Sequence, residues 1–171
     1  MIRLKRLLYY FGNAIIYCLL AIWLKLYILS NVLGMKFSDT DEFFSLVYVK
    51  NDGAAFNLFS GSQSLLIVFA ALIILLITFY LLRNKLFIPE KFVMMLSLFS
   101  AGILGNAVER YSLGYVEDFI KINIFNFPVF NINDIMITAG AFLLAFVIIN
   151  DKRREIKENK DAEEDILYED L

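Results

Sequence analysis

Residues 64–82 read SLLIVFAALIILLITFYLL, a run of nineteen residues without a charged side chain. A bilayer core about 30 Å thick is crossed by a helix of roughly 20 mostly apolar residues, so this run predicts a membrane-spanning helix. Three further segments meet the same requirement, at about residues 9–32, 91–109 and 129–149. Each is expected to be helical, because a backbone exposed to lipid must satisfy its own hydrogen bonds. We therefore predict an all-α membrane domain over residues 1–150, a bundle of four transmembrane helices.

Lysine and arginine residues in the short flanks of the spans predict the orientation of the chain. Positive residues are enriched in cytoplasmic flanks, and here they precede the first span, connect the second to the third and follow the fourth. The segments on the other side, 33–63 and 110–128, carry fewer of them. We therefore expect both termini to be cytoplasmic and these two segments to be extracytoplasmic. The flanking residues are Arg3, Lys5, Arg6, Arg83, Lys85, Lys91, Lys152, Arg153, Arg154 and Lys157.

The first extracytoplasmic segment contains signals for local structure. Residues 43–49 are rich in β-branched and aromatic side chains, and NDG at 51–53 is a strong turn signal. A small extracytoplasmic β-cradle is therefore expected between the first two helices. At the other end of the chain, residues 151–171 mix both charge signs without apolar depth, which is typical of a cytoplasmic tail that is either a solvated helix or disordered.

The composition excludes several kinds of chemistry. The chain has no histidine, which removes Ser-His-Asp and Cys-His catalysis and the metal motifs that depend on histidine. Its one cysteine, Cys18, rules out an intramolecular disulfide and a cysteine-rich zinc site. Basic residues do not cluster with interleaved aromatics, so nucleic-acid binding is not expected. Catalysis would have to rest on carboxylates, lysine or hydroxyls, and we expect no metal or other cofactor because no ligand spacing demands one.

Ionisable side chains within membrane spans are energetically expensive, so each is a candidate for function. Lys25, Glu109 and Asp134 lie inside the expected spans. Lys25 could serve a site or could extend toward the membrane interface. Asn106, Glu109 and Arg110 are spaced i, i+3 and i+4, which places them on one helical face where the third span leaves the membrane. Glu109 and Arg110 could also form an interfacial ion pair that closes the helix end.

Two aspartates near the same membrane face are the strongest catalytic candidates. Asp134 shares a helical face with Asn131 at the outer entrance of the fourth span, and Asp118 precedes it in VEDFI at 116–120. Two carboxylates brought together at low dielectric cannot both ionise cheaply, so one of them keeps its proton. The ionised one can then take a proton from water while the protonated one donates to a carbonyl oxygen. The 15 residues between them are enough to bring them to one face, but spacing alone does not establish that they meet.

Four short motifs, taken together, are more specific than any one of them. They are NDGAAF at 51–56, GNAVER at 105–110, GYVEDFI at 114–120 and FNIND at 130–134. In order, spacing and placement on the spans they closely resemble the lipoprotein signal peptidase family, also called signal peptidase II. The resemblance extends from the first span to about Asn150. It implies a protein of the bacterial cytoplasmic membrane with four helices and a small periplasmic β-cradle.

The resemblance implies an aspartic endopeptidase and gives roles to individual residues. The family's catalytic pair corresponds to Asp118 and Asp134. The implied substrate is a membrane-anchored prolipoprotein that already carries diacylglyceryl on the cysteine after its signal peptide, and the cut falls just before that cysteine. Membrane lipid is the other expected partner, nucleic acid is not expected, and the chain is expected to be a monomer. The residues implied to orient the aspartates, bind substrate or complete the polar cluster are Asn51, Gly53, Asn106, Arg110, Asn131, Glu109 and Lys25.

The chain departs from the family pattern at two positions. Ala21 stands one turn before Lys25 where the family usually has aspartate, and Glu109 stands before Arg110 where aspartate is usual. Two alternatives compete with an active peptidase. One is a divergent paralogue that binds lipoprotein or lipid without cleaving it. The other is a small transporter or channel, which would place charges near the bilayer midplane, a position that only Lys25 approaches.

Overall fold

Each of the four predicted apolar runs forms the main part of one helix. The computed structural model describes residues 2–32, 43–53, 59–84, 88–124 and 127–169. Residues 33–42 of the first extracytoplasmic segment and 54–56 of the NDGAAF motif lie outside them. In chain order the elements are α1 (Ile2–Val32), β1 (Phe44–Asn51), α2 (Gln63–Arg83), α3 (Glu90–Leu113), β2 (Val116–Ile122) and α4 (Ile132–Glu169).

All four helices are long and apolar enough to cross a membrane, which confirms the predicted four-span architecture. Large apolar side chains are exposed along their outer surfaces. Leu75 of α2 is 64% exposed and Phe146 of α4 is 57% exposed. In water such a surface would promote association, whereas in a bilayer it faces lipid of the same polarity.

Three helices extend further than the predicted spans. α1 begins at Ile2, ahead of the predicted start at about residue 9. α3 runs about one turn further and ends at Leu113, because Gly114 has a φ of 81° in the left-handed region and its N–H donates to the Arg110 carbonyl at 3.0 Å. Glu109 and Arg110 therefore lie within the helix. α4 continues through the charged segment to Glu169, so the tail is a helix that far.

β1 and β2 form a two-stranded antiparallel sheet. Asn51 pairs with Val116, and the ladder is interrupted by an irregularity between Leu46 and Val49. The strand expected in residues 43–49 is confirmed. Its partner comes from the connection between α3 and α4, where no strand was predicted. The sheet therefore joins both extramembrane segments instead of lying wholly between the first two helices.

α3 is the central helix and packs against α1, α2 and α4. Its small residues allow the close approach of α4. A Cβ added at Gly102 would lie 2.4 Å from the Asn133 carbonyl oxygen, and one added at Gly105 would lie 2.4 Å from Asn133 Oδ1. The start of α4 is therefore held directly against the C-terminal half of α3.

The two ends of the bundle carry different polar groups. Near the start of α1, Arg6 Nη1 donates to the carbonyl oxygens of Leu81 and Asn84, each at 3.1 Å, at the C-terminal end of α2. Tyr10 donates to Ser100 Oγ at 2.6 Å in the same half. At the other end, the sheet meets the last turns of α3 and the first turn of α4. The residues predicted for the site lie at this second end.

Candidate active site

Asp118 lies on β2, and its carboxylate is held between the end of β1 and the start of α4. It is 1% exposed. Its Oδ2 accepts a hydrogen bond from Asn51 Nδ2 at 2.8 Å, and its Oδ1 accepts one from Asn131 Nδ2 at 2.7 Å. Asn51 is the last residue of β1, so the pairing of β1 with β2 brings this amide to the carboxylate.

Asp134 is fixed by the way in which α4 begins. Asn131 precedes the first helical residue, and its Oδ1 accepts from the Asp134 backbone N–H at 3.0 Å. In return, the Asn131 backbone N–H donates to Asp134 Oδ2 at 3.1 Å. This reciprocal pattern is a capping box with aspartate in place of the usual glutamate or glutamine. Asp134 Oδ1 accepts a further bond from Asn106 Nδ2 at 2.7 Å.

Asn131 connects the two aspartates. Its Nδ2 donates to Asp118 Oδ1 at 2.7 Å and to Asn106 Oδ1 at 3.2 Å, while its backbone N–H bonds Asp134. Asn131 is 2% exposed, so these bonds form away from bulk water. Both aspartates line one cavity. The structure thus brings the two carboxylates together, which spacing alone did not establish.

The surroundings of Asp118 favour its neutral form. Burial raises the pKa of Asp118 to about 6, and the negative charges of Asp134 and Glu109 act in the same direction. The hydrogen bonds from Asn51 and Asn131 oppose the rise, because they stabilise the ionised form. With this pKa, Asp118 stays protonated up to a pH much closer to neutral than an ordinary aspartate does.

Arg110 faces the same cavity from the end of α3. Its Nη2 donates to the Gly53 carbonyl at 2.7 Å and its Nη1 to the Asn106 carbonyl at 3.3 Å. The Gly53 N–H donates to Asn51 Oδ1 at 2.9 Å, so this turn is held between Arg110 and the asparagine that binds Asp118. Within the described part of the chain, Arg110 Nε is buried and has no acceptor. It is a donor that a bound molecule could satisfy.

Glu109 and Lys25 belong to a second polar cluster. Lys25 Nζ lies 2.8 Å from Glu109 Oε2 and 2.7 Å from Glu117 Oε2. The ion pair considered between Glu109 and Arg110 is therefore not the one formed. Asn106 and Arg110 share the face toward the aspartates, as predicted, but Glu109 points toward α1, because adjacent residues on a helix point in different directions. Lys25 does not simply extend toward the interface either, since two carboxylates enclose its ammonium. Neither partner comes from position 21, where α1 carries alanine.

Three residues of the polar network had no predicted role: Tyr48, Glu117 and Asn133. Asn133 Nδ2 donates to Asn106 Oδ1 at 3.1 Å and to Glu109 Oε1 at 3.4 Å, and so joins the two clusters. The Tyr48 hydroxyl donates to Glu117 Oε1 at 2.5 Å. Alternation along β2 would have placed Glu117 on the face opposite its neighbouring aspartate. The partners of Tyr48 and Asn133 depend on how distant elements pack, which no local pattern contains.

The cavity that holds both aspartates has a volume of about 1170 Å³. Its walls come from α2, α3, α4, both strands and the chain before α4, and they are largely apolar. Ligand pockets commonly measure about 300–1,000 Å³ and combine apolar walls with a few converging polar groups. The cavity therefore has the size and character of a site for a large apolar ligand. Its apolar lining includes Leu66, Phe69, Ile73, Ile103, Ile135 and Phe142.

A sequence model of the signal peptidase (SPase) II family matches residues 13–150. The chain belongs to the signal peptidase II family. The matched region includes both aspartates with the residues that bond them, and the cluster that contains Lys25 and Glu109. As a signal peptidase II family member, the chain is a multi-pass bacterial membrane protein and a peptidase that acts in the processing of prolipoproteins.

Individual relatives agree with this assignment to signal peptidase II. The lipoprotein signal peptidase of Lactococcus lactis subsp. lactis (strain IL1403) is 34% identical over 125 residues, covering 71% of this chain and 82% of that protein. The one from Clostridium tetani (strain Massachusetts / E88) is 40% identical over 113 residues, covering 64% and 72% respectively. A solved bacterial membrane enzyme, determined by the in meso method at 2.3 Å resolution, matches with a TM-score of 0.68 and 28% identity over 84% of this chain and 88% of that one.

Proposed function

We propose that this chain is an aspartic endopeptidase that removes the signal peptide from diacylglyceryl-modified prolipoproteins and cuts just before the lipidated cysteine. The observation that carries the proposal is the pair of carboxylates, Asp118 and Asp134, joined through Asn131 in the wall of a largely apolar cavity. The absence of histidine supports it, since histidine-dependent hydrolysis is not available to the chain.

In the proposed mechanism the two aspartates share one proton. Burial, together with the charge of Asp134, raises the pKa of Asp118 to about 6, which favours a pair that is half protonated. The ionised carboxylate takes a proton from the attacking water, and the protonated one donates to the carbonyl oxygen of the scissile peptide. The proton taken from water then passes to the leaving nitrogen as the carbon–nitrogen bond breaks. The hydroxyl formed on the former carbonyl returns its proton to the other aspartate, which restores the half-protonated pair.

The neighbouring asparagines would orient the pair. Asn51 and Asn106 each donate a side-chain N–H to one aspartate, and Asn131 donates to both. These donors restrict where the carboxylate oxygens point, as a preorganised site requires. Arg110 would bind a carbonyl of the substrate backbone through Nε, which has no acceptor among the described residues.

The apolar cavity supports the assignment of the substrate class. A signal peptide and two acyl chains both need apolar walls, and Phe69, Ile73 and Phe142 supply them beside the aspartates. The transporter alternative has less support, because Lys25, the charge nearest the midplane, bonds two carboxylates beside the sheet.

We further propose that the aspartates face the extracytoplasmic side, that both termini are cytoplasmic and that the chain acts as a monomer. The lysine and arginine distribution favours this orientation. The end of the bundle with Arg6 and the end of α2 is the one opposite the aspartates. The proposed site needs no residue from a second copy, since the described residues of one chain supply both aspartates and the amides that bond them.

The experiment that tests the proposed function is expression of the chain in a bacterial strain depleted of its own lipoprotein signal peptidase. We expect a diacylglyceryl-modified precursor to be converted to a product whose first residue, by mass spectrometry, is the lipidated cysteine. Precursor lacking the diacylglyceryl group serves as the comparison and should remain uncut. Accumulation of diacylated precursor in the presence of folded, membrane-inserted protein would favour the non-cleaving paralogue instead.

A further inference from the structure

A second cluster of charged groups lies behind the aspartate pair. We call Lys25, Glu109, Glu117 and Tyr48 the Lys25 cluster. None of the four lines the cavity that contains the two aspartates. Lys25, Glu109 and Glu117 line a separate, smaller cavity of about 280 Å³ on the other side of β2. The cluster is therefore not placed to touch a substrate bound beside the aspartates, and any effect on catalysis must be transmitted through the fold.

The side chain of Glu117 is bonded to two other elements. Its Oε2 lies 2.7 Å from Lys25 Nζ of α1, and its Oε1 accepts from the Tyr48 hydroxyl of β1 at 2.5 Å. The side chains of Lys25 and Glu117 are only 15% and 18% exposed, so water screens this ion pair less than a surface pair. Burial acts to raise the pKa of Glu117, but the hydrogen bonds from Lys25 and Tyr48 and the positive charges of Lys25 and Lys50 together bring it below its ordinary value. Glu117 is therefore a charged tether between β2, α1 and β1.

The backbone of Glu117 is held as well. Its N–H donates to Glu109 Oε2 at 3.0 Å, and the same carboxylate oxygen lies 2.8 Å from Lys25 Nζ. Glu109 belongs to α3, so the peptide unit just before Asp118 is tied to a membrane helix. Both the side chain and the main chain of Glu117 thus connect to Lys25, one directly and one through Glu109.

The strand that carries Asp118 needs such anchoring. A two-stranded sheet is at best marginally stable alone. Here its ladder is irregular between Leu46 and Val49, which pair with Ile120 and Asp118 respectively. The interruption therefore falls next to Asp118. A rotation or slide of β2 at this point would move the Asp118 carboxylate away from the start of α4.

We propose that Glu117 is a positioning residue for catalysis: its ion pair with Lys25 fixes β2 so that Asp118 is aimed at Asp134. This inference rests on the proposed function. It also accounts for Ala21, since the lysine of α1 has its carboxylate partners on α3 and β2 and not one turn earlier on its own helix. A positional error of about 1 Å at a reacting group can lower a rate about 10²-fold, so a tether of this kind can have a measurable effect on turnover.

The test measures kcat and KM for cleavage of diacylglyceryl-modified precursor by the full chain carrying Glu117→Ala, Glu117→Gln, Lys25→Met or Lys25→Met with Glu117→Ala. We expect Glu117→Ala to lower kcat by about tenfold or more and to change KM little. Glu117→Gln keeps the shape and an acceptor, so its kcat should lie between those of Glu117→Ala and the parent. The control Lys121→Gln removes a charge from the same strand at an exposed position and should match the parent.

The double variant separates positioning from general weakening of the fold. If Glu117 acts through Lys25, its loss should add little once Lys25 is gone, so kcat of the double variant should be no lower than that of Lys25→Met. Multiplicative losses, a loss expressed in KM, or parental kcat in folded Glu117→Ala would each overturn the inference. If Glu117→Ala does not fold, Glu117→Gln carries the test, and parental kcat in that variant overturns it.

Asp118→Asn, assayed in the same series, distinguishes the two levels of proposal. Full activity of Asp118→Asn would remove the aspartic mechanism itself. An inactive Asp118→Asn beside a fully active Glu117→Ala would leave that mechanism intact and remove only the positioning role of Glu117.

Discussion

Replacement of Asn131 by alanine removes the side chain that joins the two halves of the site. In the structure this side chain donates to Asp118 Oδ1 at 2.7 Å and to Asn106 Oδ1 at 3.2 Å, and it accepts from the Asp134 N–H at 3.0 Å as the cap of α4. Loss of an N-cap side chain costs about 1 kcal/mol, and loss of a bond to a buried charged group costs about 1.5–3 kcal/mol. We therefore expect the free energy of unfolding to fall by about 3 kcal/mol at neutral pH.

The effect of Asn131→Ala should depend on pH, because the larger of its two parts acts on the ionised form of Asp118. Burial raises the pKa of Asp118 to about 6 in the folded protein. Between the lower pKa of this aspartate in the unfolded chain and about pH 6, the folded state binds more protons, so this carboxyl lowers the free energy of unfolding as pH rises. The bond from Asn131 offsets part of that loss and matters only when the carboxyl is ionised. The destabilisation should be largest above about pH 6 and shrink to the cap's roughly 1 kcal/mol near pH 4.5. The pKa of Asp118 should rise further in the variant.

Chemical unfolding in detergent micelles, followed by circular dichroism at about pH 8 and about pH 4.5, measures this difference. Asn13→Ala is the matched control, since Asn13 donates to the Tyr9 carbonyl within its own helix. It should change stability little at either pH. Cleavage by Asn131→Ala should fall about 10²-fold, as expected when one preorganised donor is removed. Equal destabilisation at both pH values would refute the view that Asn131 stabilises ionised Asp118.

Three further predictions concern packing, charge and metal dependence. Gly105→Ala should lower stability by about 1–3 kcal/mol, as overpacking does, because its Cβ would meet Asn133, whereas Gly12→Ala has nothing within 4 Å and should be tolerated; equal thermal stability of the two variants would contradict this. Glu109→Gln removes a charge that raises the pKa of Asp118, so the alkaline limb of the kcat/KM profile should move to lower pH while activity is reduced but not lost. A folded, substrate-binding Glu109→Gln with no activity at all would argue against this role. Excess EDTA should leave cleavage unchanged, and a loss of activity restored by added divalent cation would establish a metal requirement.

The four helices could be predicted from the sequence because a membrane imposes a length and a polarity on each span. Residues 64–82 alone identify one span, because nineteen uncharged, mostly apolar residues in a row are typical of a transmembrane helix. The strand at 43–49 could also be predicted, because its signal is local. Asn131 and Asp134 share a helical face at the start of α4, and this spacing was visible in the sequence as well.

The remaining contacts could not be predicted because they join elements that are far apart in the chain. β2 pairs with β1, which lies far earlier in the chain; even the pair with the smallest separation in sequence joins Asn51 to Val116. Lys25 finds its partners on α3 and β2, so inspection of its own helix, where the expected carboxylate is replaced by Ala21, could not identify them. Glu109 likewise bonds Lys25, although Arg110 is the cation next to it in the sequence. Local spacing therefore identified the candidate residues better than their partners.

The most direct test of the central claim is a cleavage assay on purified diacylglyceryl-modified precursor with Asp118→Asn and Asp134→Asn. Each variant should be folded, as judged by thermal stability, and should still bind the precursor. We expect neither to release the signal peptide, because either substitution leaves only one carboxylate to take and give protons. Retained cleavage by either folded variant would contradict catalysis by the aspartate pair.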